Sequence, residues 1–491
     1  MTDRTRTHAR SGDALHPAPS RALQAPRGLT RPQALLAGIA LALACAGARS
    51  QTPADEKKAD VPAEVPAPVQ LADPAAKAGP SGERPIEWDF SWRGWEGLHM
   101  SASRQTALRD PLTDLPVFNL QEVKLAGKLG LRVEVDAATF ATTGNLSGFD
   151  SGVDLRRARI TARGDSIFAV PFNYSVDIGY VPGRFTISQA NVSIPNIPYV
   201  GTLKIGQFQP AQGLQVITSS WDIAFMEPAA PLQAIAPGSE FGAQISNTYR
   251  EGRGTWTLGA YRNNSGDNEY GNLSKGYSNL VGRLTWLAVD GVDPDHPATN
   301  RYLHLGLSVD LQYGGGGQIR YRARPESYIA PYVIDTGAIS ADKAGTYGIE
   351  AAWVNGPFSV QAEILRSDIG AQAGPSLNFA GGYLQASWYL TGESRPYNRQ
   401  TGAFRRLVPR QSFAFGPDGG WGALEVSVRG SYTDLSDQNV RGGRLGMIMS
   451  SLNWYPHQYL TWMLDIGAGA VRGGASSGNL AIVQTRIGIN F

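Results

Sequence analysis

The chain has 491 residues, 58 of them glycine, with only 18% charged side chains and a single cysteine. Its formal charge is +2, and with the seven arginines and two acids of residues 1–50 set aside, 37 basic side chains face 40 acidic ones. That balance excludes a nucleic-acid binder built on a basic surface, and one cysteine excludes a disulfide framework or a thiolate metal site.

Residues 1–50 read as an export signal. Arg21, Arg27 and Arg31 precede the apolar stretch Ala34 to Ala44, and a small-residue exit follows at Ala46-Gly47-Ala48 or Ala48-Arg49-Ser50. Cys45 has Ala42 three residues before it, where a lipoprotein signal wants leucine, so cleavage near Ser50 leaves the mature chain without a thiol. Residues 51–85 are dominated by Ala, Pro, Glu and Lys without apolar periodicity, which predicts a disordered periplasmic linker. The aromatic piece Ile86 to Met100, with Trp88, Phe90, Trp92 and Trp95, predicts either a short periplasmic segment or an extra strand.

Beyond residue 50 no run of about 18 apolar residues occurs, so any membrane crossing must be made by strands. From Gln121 onward, stretches of about ten residues alternate apolar and polar side chains between clusters of Gly, Asn, Asp and Pro. Leu303, Leu305, Leu307, Val309, Leu311 and Tyr313 fall on one face of an extended chain, and His304, Gly306, Ser308, Asp310 and Gln312 on the other. One face suits hydrocarbon and the other water. Sixteen such segments run from 121–139 to 479–491, and the last ends with Val483, Thr485, Ile487, Ile489 and the terminal Phe491 on one face. The fold class is therefore all-β, a transmembrane antiparallel β-barrel of about 16 strands over residues 86–491. Trp256, Trp286, Trp353, Trp388, Tyr389, Trp454 and Tyr455 stand at strand ends, where interfacial girdles form. The segment Gln207 to Glu240 is too long for a tight hairpin and rich in Pro and Gly. Its Leu214, Val216, Ile217, Trp221, Phe225 and Met226 can pack against a barrel wall, so it is expected to fold inward.

Several stretches in order carry a family likeness: VDLRRAR at 153–159, GTLKIGQFQPAQGLQVITSS at 201–220, FMEPAAPLQAIAPGSEFG at 225–242, QIRYRARPE at 318–326, TGESRPYNRQTGAFRRLVP at 391–409, GALEVSVRGSYTDLSD at 422–437 and LNWYP at 452–456. On these the chain from Trp88 to Phe491 resembles the phosphate-selective porin O/P family. The resemblance implies a trimeric sixteen-stranded channel of the cell outer membrane with an inward constriction loop, passing small anionic solutes by passive diffusion. It also implies an arginine ladder at the mouth and a central lysine cluster with a nearby acid. Arg320, Arg322 and Arg324 alternate with Ile319, Tyr321 and Ala323, so an extended backbone puts three guanidinium groups on one face. A guanidinium stays charged and grips oxyanions through a planar fork. Arg156 and Arg157 match arginines of the family's mouth.

The centre departs from the pattern. Val216, Asn398 and Ala403 stand where phosphate-selective relatives carry lysine, and Ser188 where they carry the acid. Only Lys124, Lys128, Lys204, Lys275 and Lys343 remain after residue 85, and Arg399, Arg405 and Arg406 are the candidate substitutes. A weaker and broader anion preference is expected, with a general or organic-acid-selective porin as the alternative. An outer-membrane barrel enzyme is a minor alternative, marked by a serine beside a histidine on the outer face. The string Gly474-Ala475-Ser476-Ser477-Gly478 matches a nucleophile elbow only in letters, lying between two strands rather than before a helix. His99, His296, His304 and His457 show no ligand spacing, and nothing in the sequence requires a cofactor or metal.

Overall fold

The computed structural model describes residues 87–92, 98–104, 123–167, 171–181, 184–262, 277–293, 299–416 and 419–491. The expected signal (1–50) and linker (51–85) lie outside them, as do Lys275 and His296. Two strands, β1 (Glu87–Trp92) and β2 (Leu98–Arg104), form a hairpin where the sequence left a segment or an extra strand open. The barrel then runs β3 (Val123–Thr142), β4 (Gly152–Ile167), β5 (Phe172–Val181), β6 (Arg184–Ile197), β7 (Gly201–Phe208), β8 (Glu240–Tyr249), β9 (Gly254–Arg262), β10 (Ser278–Gly291) and β11 (Arg301–Ile319). Two-residue strands β12 (Arg322–Ala323) and β13 (Ile334–Asp335) follow, then β14 (Ile339–Asn355), β15 (Phe358–Ala371) and β16 (Leu377–Tyr389). A second small pair, β17 (Tyr397–Asn398) and β18 (Ala403–Phe404), precedes β19 (Ala423–Asp437), β20 (Val440–His457), β21 (Leu460–Arg472) and β22 (Gly478–Asn490).

Every barrel strand pairs antiparallel with its neighbours, and β22 returns to β3, closing a ring of sixteen. Closure removes the free edge whose unpaired N–H and C=O groups hydrocarbon could not satisfy. The seal reaches the last residue: Phe491 donates its amide to the Leu131 carbonyl (3.0 Å), and Leu131 donates to the Phe491 carbonyl (2.9 Å). The lower part of β3, Val123 to Leu129, pairs on that side with β2 instead. Both chain ends of the barrel share one rim with short connections such as 198–200, 250–253, 356–357 and 458–459, which marks that rim as periplasmic.

The alternation resolves as expected on its outer side. Leu305 and Leu307 are exposed at 41% and 57% on the wall. Tyr389, grouped by sequence with the girdle, points inward and is buried, because its neighbour Trp388 takes the outward position and adjacent strand residues face opposite ways. The inner side departs more. His304, Ser308, Asp310 and Gln312 were expected to meet water, yet His304 is 0% exposed and the others are buried too. Three segments fill that space: 209–239 with the short helices α1 (Leu214–Ile217) and α2 (Ala230–Ile235), 320–338, and 390–406 from the periplasmic rim. Phe225, Leu232 and Ile235 pack there on Leu365, Phe379, Tyr383 and Met449 of the inner wall, at roughly 1.5–3 kcal/mol for each fully buried large side chain.

Candidate functional site

Segment 209–239 is pinned by carboxylates. Leu214 and Gln215 donate their amides to Glu363 (both 2.8 Å), Met226 to Asp465 (3.0 Å) and Ala230 to Glu326 (3.0 Å). Gly213, at φ 91°, lets the chain reach Glu363, since a Cβ there would stand 2.4 Å from its Oε2. Glu227 is the centre of this fastening. Arg156 donates to it at 2.6 and 3.0 Å, and Arg486, which also grips Asp136 at 2.7 and 2.8 Å, donates at 2.7 Å. Glu326 supports the same region from φ 53°, a strained backbone for a residue with a side chain, and is held by Arg429 (3.0 Å) and Ser431.

Arg156 and Arg157 are consecutive, yet both engage inner-face carboxylates. The register explains it: Arg157 pairs with Glu134 of β3 and Leu155 with Val135, so Arg156 is an extra bulged residue. Arg157 donates to Glu134, which also accepts from Arg132.

In segment 320–338 Arg320, Arg322 and Arg324 keep some exposure while Tyr321 and Ala323 are buried, so the triplet shares a face. Arg320 is bound to Asp335 at 2.9 Å. The other two sit on aromatic rings instead. The Arg322 guanidinium lies 4.1 Å from the Tyr332 ring, Arg324 lies 4.7 Å from the same ring and 5.1 Å from Tyr328, and Arg156 lies 4.2 Å from Tyr328. Three arginines and two tyrosines thus form one stack from the segment to the wall. Stacking holds each guanidinium face and leaves N–H edges for an oxyanion. Arg324 spends part of that capacity on the carbonyls of Tyr328 and Ala330.

In segment 390–406, Arg399 is paired with Asp290 at 2.6 and 2.8 Å, Arg405 is exposed, and Arg406 lies 5.7 Å from the Trp221 ring. Trp221 also carries Arg132 at 5.3 Å. Beside it, burial pushes the Asp222 carboxyl up to about 6 against the pull of Arg406, Arg132 and Arg395. Of the eight arginines named from sequence, Arg156, Arg157, Arg320 and Arg399 therefore hold carboxylates, and among the described residues Arg322, Arg324, Arg405 and Arg406 have no carboxylate within 4 Å. Arg159, half-buried on β4, shares that condition and was not singled out, although its two-residue spacing from Arg157 gave the signal. Tyr328 and Tyr332 had no sequence signal at all.

The chain from residue 128 to 487 matches the family model described as phosphate-selective porin O and P. It belongs to that family. It is 28% identical over 350 residues to Porin O of Pseudomonas aeruginosa, covering 64% of this chain and 74% of that one. An uncharacterized protein of Caulobacter vibrioides is 26% identical over 422 residues, covering 83% and 77%. Among solved structures, an anion-selective porin from Comamonas acidovorans aligns with TM-score 0.47 at 11% identity, over 75% of this chain and all of that one. The channel DcaP of Acinetobacter baumannii aligns with TM-score 0.44 at 9% identity, over 75% and 97%. The protein is an outer-membrane porin.

The positions that depart from the family's lysines are occupied otherwise. Asn398 and Ala403 face each other across β17 and β18, Val216 packs on the apolar cluster, and Ser188 donates to the Asp177 carbonyl at 3.4 Å. Lys204 faces inward over Phe208 at 5.2 Å, while Lys343 is exposed.

Proposed function

We propose that the pore passes small oxyanions broadly, by passive diffusion along arginine side chains, without a tight phosphate site. The observation that carries this reading is the stack of Arg322, Tyr332, Arg324, Tyr328 and Arg156, in which Arg322 and Arg324 have no carboxylate within 4 Å among the described residues. Confinement between inward segments raises the cost of leaving bulk water, and unneutralised guanidinium groups along the path lower it for anions alone. Arg406 and Arg159 extend the same charge toward the constriction. The lost ammonium groups at Val216, Asn398 and Ala403 remove the point charges that would hold a compact multivalent anion, which favours a general or organic-acid-selective porin over a phosphate-specific one.

Catalysis has little support in the geometry. His304 is inward, hydrogen-bonded to Tyr397 (2.7 Å) and Glu350 (2.8 Å), and Ser476 lies in the loop between β21 and β22. Assembly as a homotrimer completes the reading, and native mass spectrometry measures it.

The test is reconstitution into a planar bilayer. Reversal potentials in a salt gradient are expected to be biased to anions, and phosphate, pyrophosphate and small dicarboxylates are expected to block chloride current at similar, high concentrations. Cation selectivity would end the proposal, and block by phosphate alone at low concentration would replace it with a specific site.

A further inference from the structure

The outer wall carries a feature that transport does not use. Arg366 of β15, Ala380 of β16, Asp434 of β19, Arg444 of β20 and Arg472 of β21 are successive register partners, forming one row near the extracellular rim. They face outward, because residues of the same alternating set nearer the periplasm on those strands, Ile364, Tyr432 and Ile448 among them, are 51–67% exposed. Beneath Arg444 and Arg472 the wall is floored by Gly430, Gly446, Ala468 and Ala470. Side chains of Ile364, Leu384, Tyr432 and Ile448 stand around this floor and enclose a shallow apolar depression of about 910 Å³.

Arg444 and Arg472 face each other directly across the strand pair, an arrangement of like charges that weakens a sheet unless an anion joins them. Arg444 has Asp434 at 2.8 Å. Arg472 has no carboxylate within 4 Å among the described residues, donating instead to the carbonyls of Gly478 (2.7 Å) and Val471 (2.8 Å) and to the Asn479 amide oxygen (2.6 Å). Arg366 is paired with Asp368 at 2.9 Å, and Asp437 accepts from the Asn378 amide at 2.8 Å. These pairs are exposed and worth little, so a phosphate can displace them.

We propose that this face is a binding site for a phosphorylated, multiply acylated lipid of the outer leaflet, its phosphate between Arg444 and Arg472 and an acyl chain in the depression below. The vertical order decides the ligand. Paired cations at the rim over a hydrocarbon-depth groove match a charged headgroup above acyl chains, and a free phosphate would leave the groove unfilled.

The experiment is native mass spectrometry of the intact protein in mild detergent, titrated with diphosphorylated lipid A, its dephosphorylated form, or inorganic phosphate. The native chain is expected to retain diphosphorylated lipid A well above the dephosphorylated form. Arg444→Ala with Arg472→Ala is expected to weaken retention about thirtyfold, taking about 1 kcal/mol for each basic side chain. Gly446→Leu with Ala468→Leu, which fills the groove and leaves the charges, is expected to weaken it as well. Single-channel conductance of each variant should stay native, which reports folding, and Arg472→Gln alone serves if a double variant fails to fold. Equal retention by the native chain and both variants overturns the proposal. So does competition by inorganic phosphate alone, or a shift of either variant to a smaller oligomer, which would make the face an interface between copies.

Discussion

Two arginine groups within the same barrel behave in opposite ways. Around Glu227, the half-buried Arg156 and the buried Arg486 are bonded to carboxylates and hold segment 209–239 to the wall. In segment 320–338, Arg322 and Arg324 rest on tyrosine rings with no carboxylate within 4 Å among the described residues, Arg322 standing opposite Asp335 in the β12–β13 register. A guanidinium cannot shed its charge, so its partner decides its use. An acid converts it into a fastening, and an aromatic face leaves the charge available to a passing solute. Arg156 belongs to both groups, which ties the position of the stack to the fastening.

The largest effect should come from breaking the fastening. Glu227→Gln leaves Arg486 and Arg156 without that partner, a loss of about 3–5 kcal/mol for a buried pair. Thermal unfolding in detergent should shift well below native, and single-channel conductance should rise as the inward segment loosens. Unchanged conductance would mean that segment 209–239 does not set the bore. Next, Arg322→Gln with Arg324→Gln should reduce the anion-to-cation permeability ratio about fivefold, the factor for roughly 1 kcal/mol of lost attraction, with stability preserved. Arg320→Gln, whose charge Asp335 already offsets, should move the ratio much less; an equal effect would erase the distinction between paired and stacked arginines. Tyr328→Leu and Tyr332→Leu keep every charge and remove the brace, so a reduction of about twofold each is expected from roughly 0.5 kcal/mol of cation–π energy, with Tyr328→Phe close to native. The smallest effect is with pH. Asp222 loses its negative charge as pH falls through about 6, so the anion bias should grow slightly between pH 7 and 5, and Asp222→Asn should reduce that slope.

All sixteen barrel strands were legible in the sequence because a barrel places alternate residues in different surroundings and writes a period of two into every segment. Leu305 against His304 needs no tertiary knowledge to assign sides. The bulge at Arg156 left one mark in the sequence, the shift of the apolar positions from Val153 and Leu155 to Ala158 and Ile160, and without it Arg156 and Arg157 would face opposite ways. The inward site was half legible. Arginines could be counted and their spacing read, but not which of them would meet Glu134, Glu227, Asp290 or Asp335, residues up to 109 positions away along the chain.

Composition and periodicity by themselves determined an all-β barrel of sixteen strands with an apolar outside, because that face responds only to the solvent it meets. The tertiary structure alone decided which inner polar residues would be dry and which cations would stay unneutralised. Both depend on three segments folding back into the lumen, and such contacts join residues whose separation in sequence carries no record of their proximity.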